Sequence, residues 1–195
     1  MRTRLASVWL LLAMLLGAAG YVSPANATRV MQFSLDQVVA QADIAFVGSC
    51  ISRTEESTEV GLPSTRYVFE VQRALKGVEG ATVEVRVLGT GAGTSEGLRL
   101  PGGAQWSPGQ PVLLFLNAPS ELGFSSAVGL HQGDFLLVEG PVGLSVQVSP
   151  LLLTETIAMS RLTPTEWEAL KGALVPIETF LTIVETLMRA TGQSP

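Results

Sequence analysis

Arg66-Tyr67-Val68-Phe69-Glu70-Val71-Gln72 and, beyond Lys76-Gly77, Thr82-Val83-Glu84-Val85-Arg86-Val87 alternate apolar and polar side chains with a period of two. Successive side chains of a strand point to opposite faces, so both runs predict half-buried strands. The short connection from Gly77 to Gly80 predicts a hairpin between them. Two other runs behave differently. Ile44-Ala45-Phe46-Val47-Gly48-Ser49-Cys50-Ile51 starts apolar on both faces, and Val112-Leu113-Leu114-Phe115-Leu116 is apolar without a break. Strands of that kind must be covered on both sides. A barrel interior supplies one cover; a helix or loop laid outside supplies the other. Ile44, Phe46 and Cys50 fall on one face, which makes Cys50 a small buried apolar residue.

Working outward, Ser34-Leu35-Asp36-Gln37 is a capping-box pattern and predicts a short helix over 35–41. The polar, acidic stretch Thr54 to Ser64 reads as a loop or long hairpin tip. Ser125 to Gly129, Asp134 to Glu139 and Leu144 to Val148 read as three further strands separated by Gly and Pro. Thr163-Pro164-Thr165-Glu166 then starts a helix, with Thr as N-cap, Pro in the first turn and Glu three residues on. Pro176 opens a second helix, whose Ile177, Phe180, Leu181, Val184, Leu187 and Met188 recur at helical spacing. That apolar stripe is expected to lie on the sheet. The expected organisation is a β-barrel domain over 28–150 and a C-terminal helical extension over 151–195, packed on the barrel.

The first residues are of another kind. Arg2 and Arg4 precede an apolar run from Leu5 to Ala19, then Pro24 and the small-x-small string Ala25-Asn26-Ala27. This predicts a cleavable signal over 1–27, a working chain that starts at Thr28, and a secreted or periplasmic protein with no stable membrane span after cleavage. Without Arg2 and Arg4, ten basic residues oppose seventeen acidic ones, a formal net charge of −7. That sign opposes generic nucleic-acid binding. Cys50 is the only cysteine, so an intrachain disulfide is excluded and packing must stabilise the roughly 168 remaining residues.

No catalytic or metal-binding constellation emerges. Gly93-Thr94-Ser95-Glu96-Gly97 matches the string of a serine-hydrolase elbow, but Pro and two Gly follow it where a helix is required. His131 is the single histidine, so Ser95 with His131 is the one nucleophile–base pair to weigh. One His and one Cys cannot build a zinc site. Gly89, Gly91 and Gly93 lack the spacing of a phosphate loop. Glu55, Glu56 and Glu59 lack the pattern of a calcium loop. No catalytic residue, metal or cofactor is assigned. The long glycine-rich connection from Gly89 to Gly109 and the Gly129 to Gly133 turn are where recognition is expected, because loops at one end of a rigid barrel carry it. The candidate binding residues are Gly102, Gly103, Trp106, His131 and Gln132, although Trp106 also suits a packing role and His131 a plain surface turn.

Several of these segments together resemble a known family. They are the capped Ser34-Leu35 helix, Ala42-Asp43-Ile44-Ala45-Phe46-Val47-Gly48, Leu75-Lys76-Gly77, Pro101-Gly102-Gly103, Pro108-Gly109-Gln110-Pro111 with its apolar strand, and Val128-Gly129-Leu130-His131-Gln132-Gly133-Asp134-Phe135. The order resembles a group of exported bacterial proteins whose domain is similar to the OB-type barrel of tissue inhibitors of metalloproteinases and netrin modules. The likeness covers about Ser34 to Glu139. It implies an OB-like, closed or partly open barrel with a helix packed against it; together with the helices read above, the expected fold is mainly β with one short N-terminal helix and two C-terminal ones. It also implies binding rather than catalysis. The inhibitors act through a disulfide-held N-terminal cysteine on a protease zinc, a mechanism that Thr28 and a lone Cys50 do not reproduce.

The leading expectation is a non-catalytic exported binding module, with another exported protein as its partner. The alternatives are an exported serine hydrolase using Ser95 and His131, and a structural envelope component whose C-terminal helix docks a partner.

Overall fold

The computed structural model describes residues 31–89, 105–153 and 162–192. Helix α1 (Leu35–Gln41) comes first, with the side-chain oxygen of Gln37 accepting from the Ser34 N–H at 3.0 Å. Three strands follow as a meander: β1 (Ile44–Ser57), β2 (Pro63–Lys76) and β3 (Thr82–Leu88). Strands β4 (Pro111–Leu116), β5 (Asp134–Gly140) and β6 (Gly143–Val146) come next, then a 3-10 turn at Pro150–Leu153. Helix α2 (Pro164–Leu170), the two-residue β7 (Val175–Pro176) and helix α3 (Ile177–Ala190) complete the order. The strands form one antiparallel sheet in the order β3-β2-β1-β4-β5-β6-β7.

The expected double burial of β1 and β4 is what divides the interior in two. On one face, Ala45, Val47, Leu113 and Phe115 pack with Val38 and Val39 of α1 and with Phe180, Val184 and Leu187 of α3. On the other, Phe46, Cys50, Val112, Leu114 and Leu116 pack with Tyr67 and Phe69 of β2, Val85 of β3 and the loop residue Trp106. Cys50 is fully buried there, and burial pushes its thiol up from the ordinary range. Its carbonyl accepts the Gly109 N–H at 2.7 Å and its N–H donates to Gln110 at 3.0 Å, so the loop carrying Trp106 is fastened to β1. Gly48 has to be glycine, since a Cβ would collide with the Glu70 carbonyl on β2, beside a register shift in β1.

Helix α3 covers the first face with Phe180, Leu181, Ile183, Val184, Leu187 and Met188, as its spacing predicts. Its polar side is anchored as well, with Arg73 of β2 reaching Glu178 at 2.9 Å and Glu185 at 2.7 Å. The capping box at α2 is formed, the Glu166 carboxylate accepting from the Thr163 N–H at 2.8 Å.

Two expectations need correction. Ser125 to Gly129 is not a strand. Phe124 bridges Arg86 of β3, and Ala127 bridges Leu116 of β4, as isolated contacts. The Ser125 N–H donates to Arg86, the Ser126 carbonyl accepts from Asn117, and the Val128 N–H donates to Phe115. The backbone thus divides its hydrogen bonds between two partners, and turns on either side leave too few residues for a ladder. The Thr54 to Ser64 loop is mostly strand: β1 and β2 run into it, leaving a tip at Thr58 to Leu62 closed by Gly61 N–H to Thr58 at 2.8 Å. Val175 and Pro176 extend the sheet by pairing with Val146 and Ser145, and residues from Met31 onward cluster as one unit. The described strands end at β3 and β7 without pairing to each other, so what is shown is a seven-stranded sheet in which 124–127 bridges β3 and β4.

Candidate functional site

The turn after Val128 carries two of the expected binding residues. Gly129 has φ +62, and a Cβ there would stand 2.6 Å from the Phe33 ring, so only glycine lets residue 33 pass so close. Leu130, also at positive φ, points outward and is 47 % exposed. His131 is exposed; the next residue, Gln132, is buried.

Gln132 is a clamp. Its Oε1 accepts from the Phe33 N–H at 2.8 Å and from Gln32 Nε2 at 2.8 Å. Its Nε2 donates to the Met31 carbonyl at 2.8 Å and to the Gly129 carbonyl at 3.1 Å. All four hydrogen-bonding positions of the amide are filled. The side chain therefore holds residues 31–33 as a neighbouring peptide unit would, and has nothing left for a ligand. Gln132→Leu is expected to lose about 1–3 kcal/mol of stability, because it strands the Phe33 N–H and the Met31 carbonyl. Urea unfolding measures the loss, and faster exchange of the Phe33 amide localises it.

Trp106 is 1 % exposed and sits edge-on to Tyr67 and Phe69, at centroid distances of 4.9 and 5.2 Å. It is a plug of the second core and offers no surface to a partner. Its Nε1 leaves the core, however, and donates to Asp134 Oδ2 at 3.1 Å. Asp134 opens β5 three residues after His131, and its N–H donates to the His131 carbonyl at 3.2 Å. Burial pushes its carboxyl above the usual carboxylate range, against the smaller opposing pull of the Trp106 N–H and the His131 charge. Sequence reasoning missed Asp134. An acid at the foot of an alternating strand looks solvated, and only the long-range Trp106 contact marks it.

His131, Asp134 and Gln132 line a cavity of about 210 Å³ together with Gln32, Gln147 and Ser149. Leu151, 59 % exposed, is also part of its lining. The structure thus brings His131 and Gln132 together and puts Trp106 behind them. Gly102, Gly103 and Ser95 lie outside the described residues. A second cavity, about 350 Å³, lies between the hairpin tip and Leu122. Of its charged lining residues, Glu56 and Arg86 pair at 2.8 Å, and Glu56 also takes Arg66 at 3.3 Å. The Glu55 side chain is likewise held by Arg53 at 2.7 Å. Among the described residues no group of three His, Cys, Asp or Glu side chains could hold a metal ion, and no helix is long and apolar enough to cross a membrane.

Comparison with protein-family models, with curated proteins and with solved structures finds no match for this chain.

Proposed function

We propose that this chain is an exported, non-catalytic binding module that meets a protein partner at the end of its sheet where the His131 cavity opens. The observation that carries this reading is the cavity itself. Its polar lining residues His131, Asp134, Gln147 and Ser149 stand beside exposed Leu151, with Leu130 and Met31 exposed next to lining residues. Apolar contacts beside a few convergent polar groups are the usual make-up of recognition sites. The fastening of the loops favours it too: Gln132 fixes the N-terminal segment to the turn, and Cys50 fixes the Trp106 loop to β1. A preorganised surface loses less entropy on binding.

Export is supported by the Arg2–Ala27 pattern, which favours the periplasm or the outside of the cell. The fold reading that goes with it is a partly open OB-type barrel, similar to that of netrin modules. The 124–127 seam between β3 and β4 supports that curl.

The test is capture of a partner from the native envelope or medium by the purified protein. Leu151→Arg fills the cavity mouth and is expected to weaken the captured complex about tenfold or more, in line with loss of an interface anchor. Val142→Arg, at another exposed apolar position, should leave it unchanged. Equal capture by Leu151→Arg would move the contact surface elsewhere.

A further inference from the structure

We infer that the His131–Asp134 cavity takes the cationic side chain of a lysine or arginine from a polypeptide partner; this rests on the binding reading above and names what the site selects.

The starting point is a charge that the fold leaves half-answered. Asp134 is half-buried, and among the described residues its side chain accepts one hydrogen bond, from a neutral donor, the Trp106 indole, on Oδ2. Among the described residues no lysine or arginine side chain pairs with it, whereas Glu55, Glu56, Glu178 and Glu185 each hold an arginine. Carboxylates drawn from water are ordinarily paired, because the charged form is costly to bury alone. Among the described residues lining the cavity, none is basic besides His131. Its other polar members, Gln32, Gln147 and Ser149, carry oxygens that can accept from an ammonium or guanidinium. Gln132 is already saturated and does not compete.

Size and rim narrow the ligand further. At about 210 Å³ the cavity is below the ~300–1,000 Å³ of drug-sized pockets and suits one side chain. A lysine or arginine brings an aliphatic stem as well as a charge, and Leu151 at the mouth would lie along that stem. The whole chain carries 17 acidic against 12 basic residues, which favours encounter with a basic partner.

The experiment uses three small probes on the purified protein: n-butylammonium, N-butylguanidinium and the neutral N-butylacetamide. Backbone amide shifts of residues 129–134 and 149–152 are followed by nuclear magnetic resonance. At least one cation is expected to shift these amides saturably, with N-butylacetamide weaker by about tenfold or more, the worth of a hydrogen bond to a charged group. Asp134→Asn keeps the shape and the acceptor for Trp106, and should bring the cation down to the level of the neutral probe. The wild-type comparison stands without that variant should it fold poorly. N-butylacetamide binding as tightly as the cations would overturn the cationic selectivity and leave the binding reading intact. No saturable shift from any probe would overturn the inference, whereas capture that survives Leu151→Arg would overturn the wider reading instead.

Discussion

Trp106→Ala is expected to cost about 3–5 kcal/mol of unfolding free energy, the range for truncating a large buried aromatic. For a chain of this size that lowers the melting temperature by roughly 10 °C. The reason is position. Trp106 touches Tyr67 and Phe69 edge-on, and both pack with Phe46, Cys50 and Leu114, so the residue closes one whole face of β1 and β4. It arrives on a loop with no strand ladder of its own, and the Gly109–Cys50 and Gln110–Cys50 hydrogen bonds alone cannot fill the space it would vacate. Trp106→Phe separates the two roles. It keeps most of the volume but removes the donor to Asp134, and should cost about 1–3 kcal/mol. Calorimetry and urea unfolding read both. A Trp106→Ala protein within 1 kcal/mol of the parent would mean that the second core does not depend on the loop.

The other face is predicted to depend as strongly on Phe180. A relay of rings runs from the sheet to α3: Phe115 to Phe135 at 5.6 Å, then Phe135 to Phe180 at 5.1 Å. Phe180→Ala should lose about 3–5 kcal/mol and loosen the helix from the sheet. Arg73→Ala, which removes both ion pairs to the same helix, should lose no more than about 1 kcal/mol, since Arg73 and its partners are exposed to solvent. The comparison decides what holds α3 in place. If Arg73→Ala proved the more damaging, the helix would be tethered by charge, and the stripe of apolar residues would have been misjudged.

How legible this was in the sequence varied with the range of the interactions. The alternation of Tyr67, Phe69 and Val71 against Arg66 and Glu70 is a local signal, and β2 and β3 form where it places them. The unbroken apolar run at Val112 to Leu116 announced two covered faces, and both clusters meet there. The stripe on α3 was equally readable. What failed was whatever depends on distant backbone. Ser125 to Gly129 has the composition of a strand, but its partners are Arg86 and Leu116, reached on alternate groups. Val175 and Pro176 gave no sign of pairing, because a two-residue bridge has no period. In the site, the turn was found through its glycines. The roles inside it were not. Gln132 serves a segment 99 positions away, and Asp134 owes its unusual surroundings to an indole 28 positions upstream.

The far end of the sheet has a consequence for how copies of this protein can meet. Strand β7 is two residues long and closes with Pro176, which has no N–H to donate, and the chain turns at once into α3. At the opposite end, Phe124 and Ser125 occupy β3 at Arg86. A stray strand from another molecule therefore finds a dead end on one side and, on the other, an edge already taken at Arg86, devices by which β-rich proteins resist fibrous aggregation. Crowding at high concentration should bring these molecules together through side chains, leaving their sheets separate.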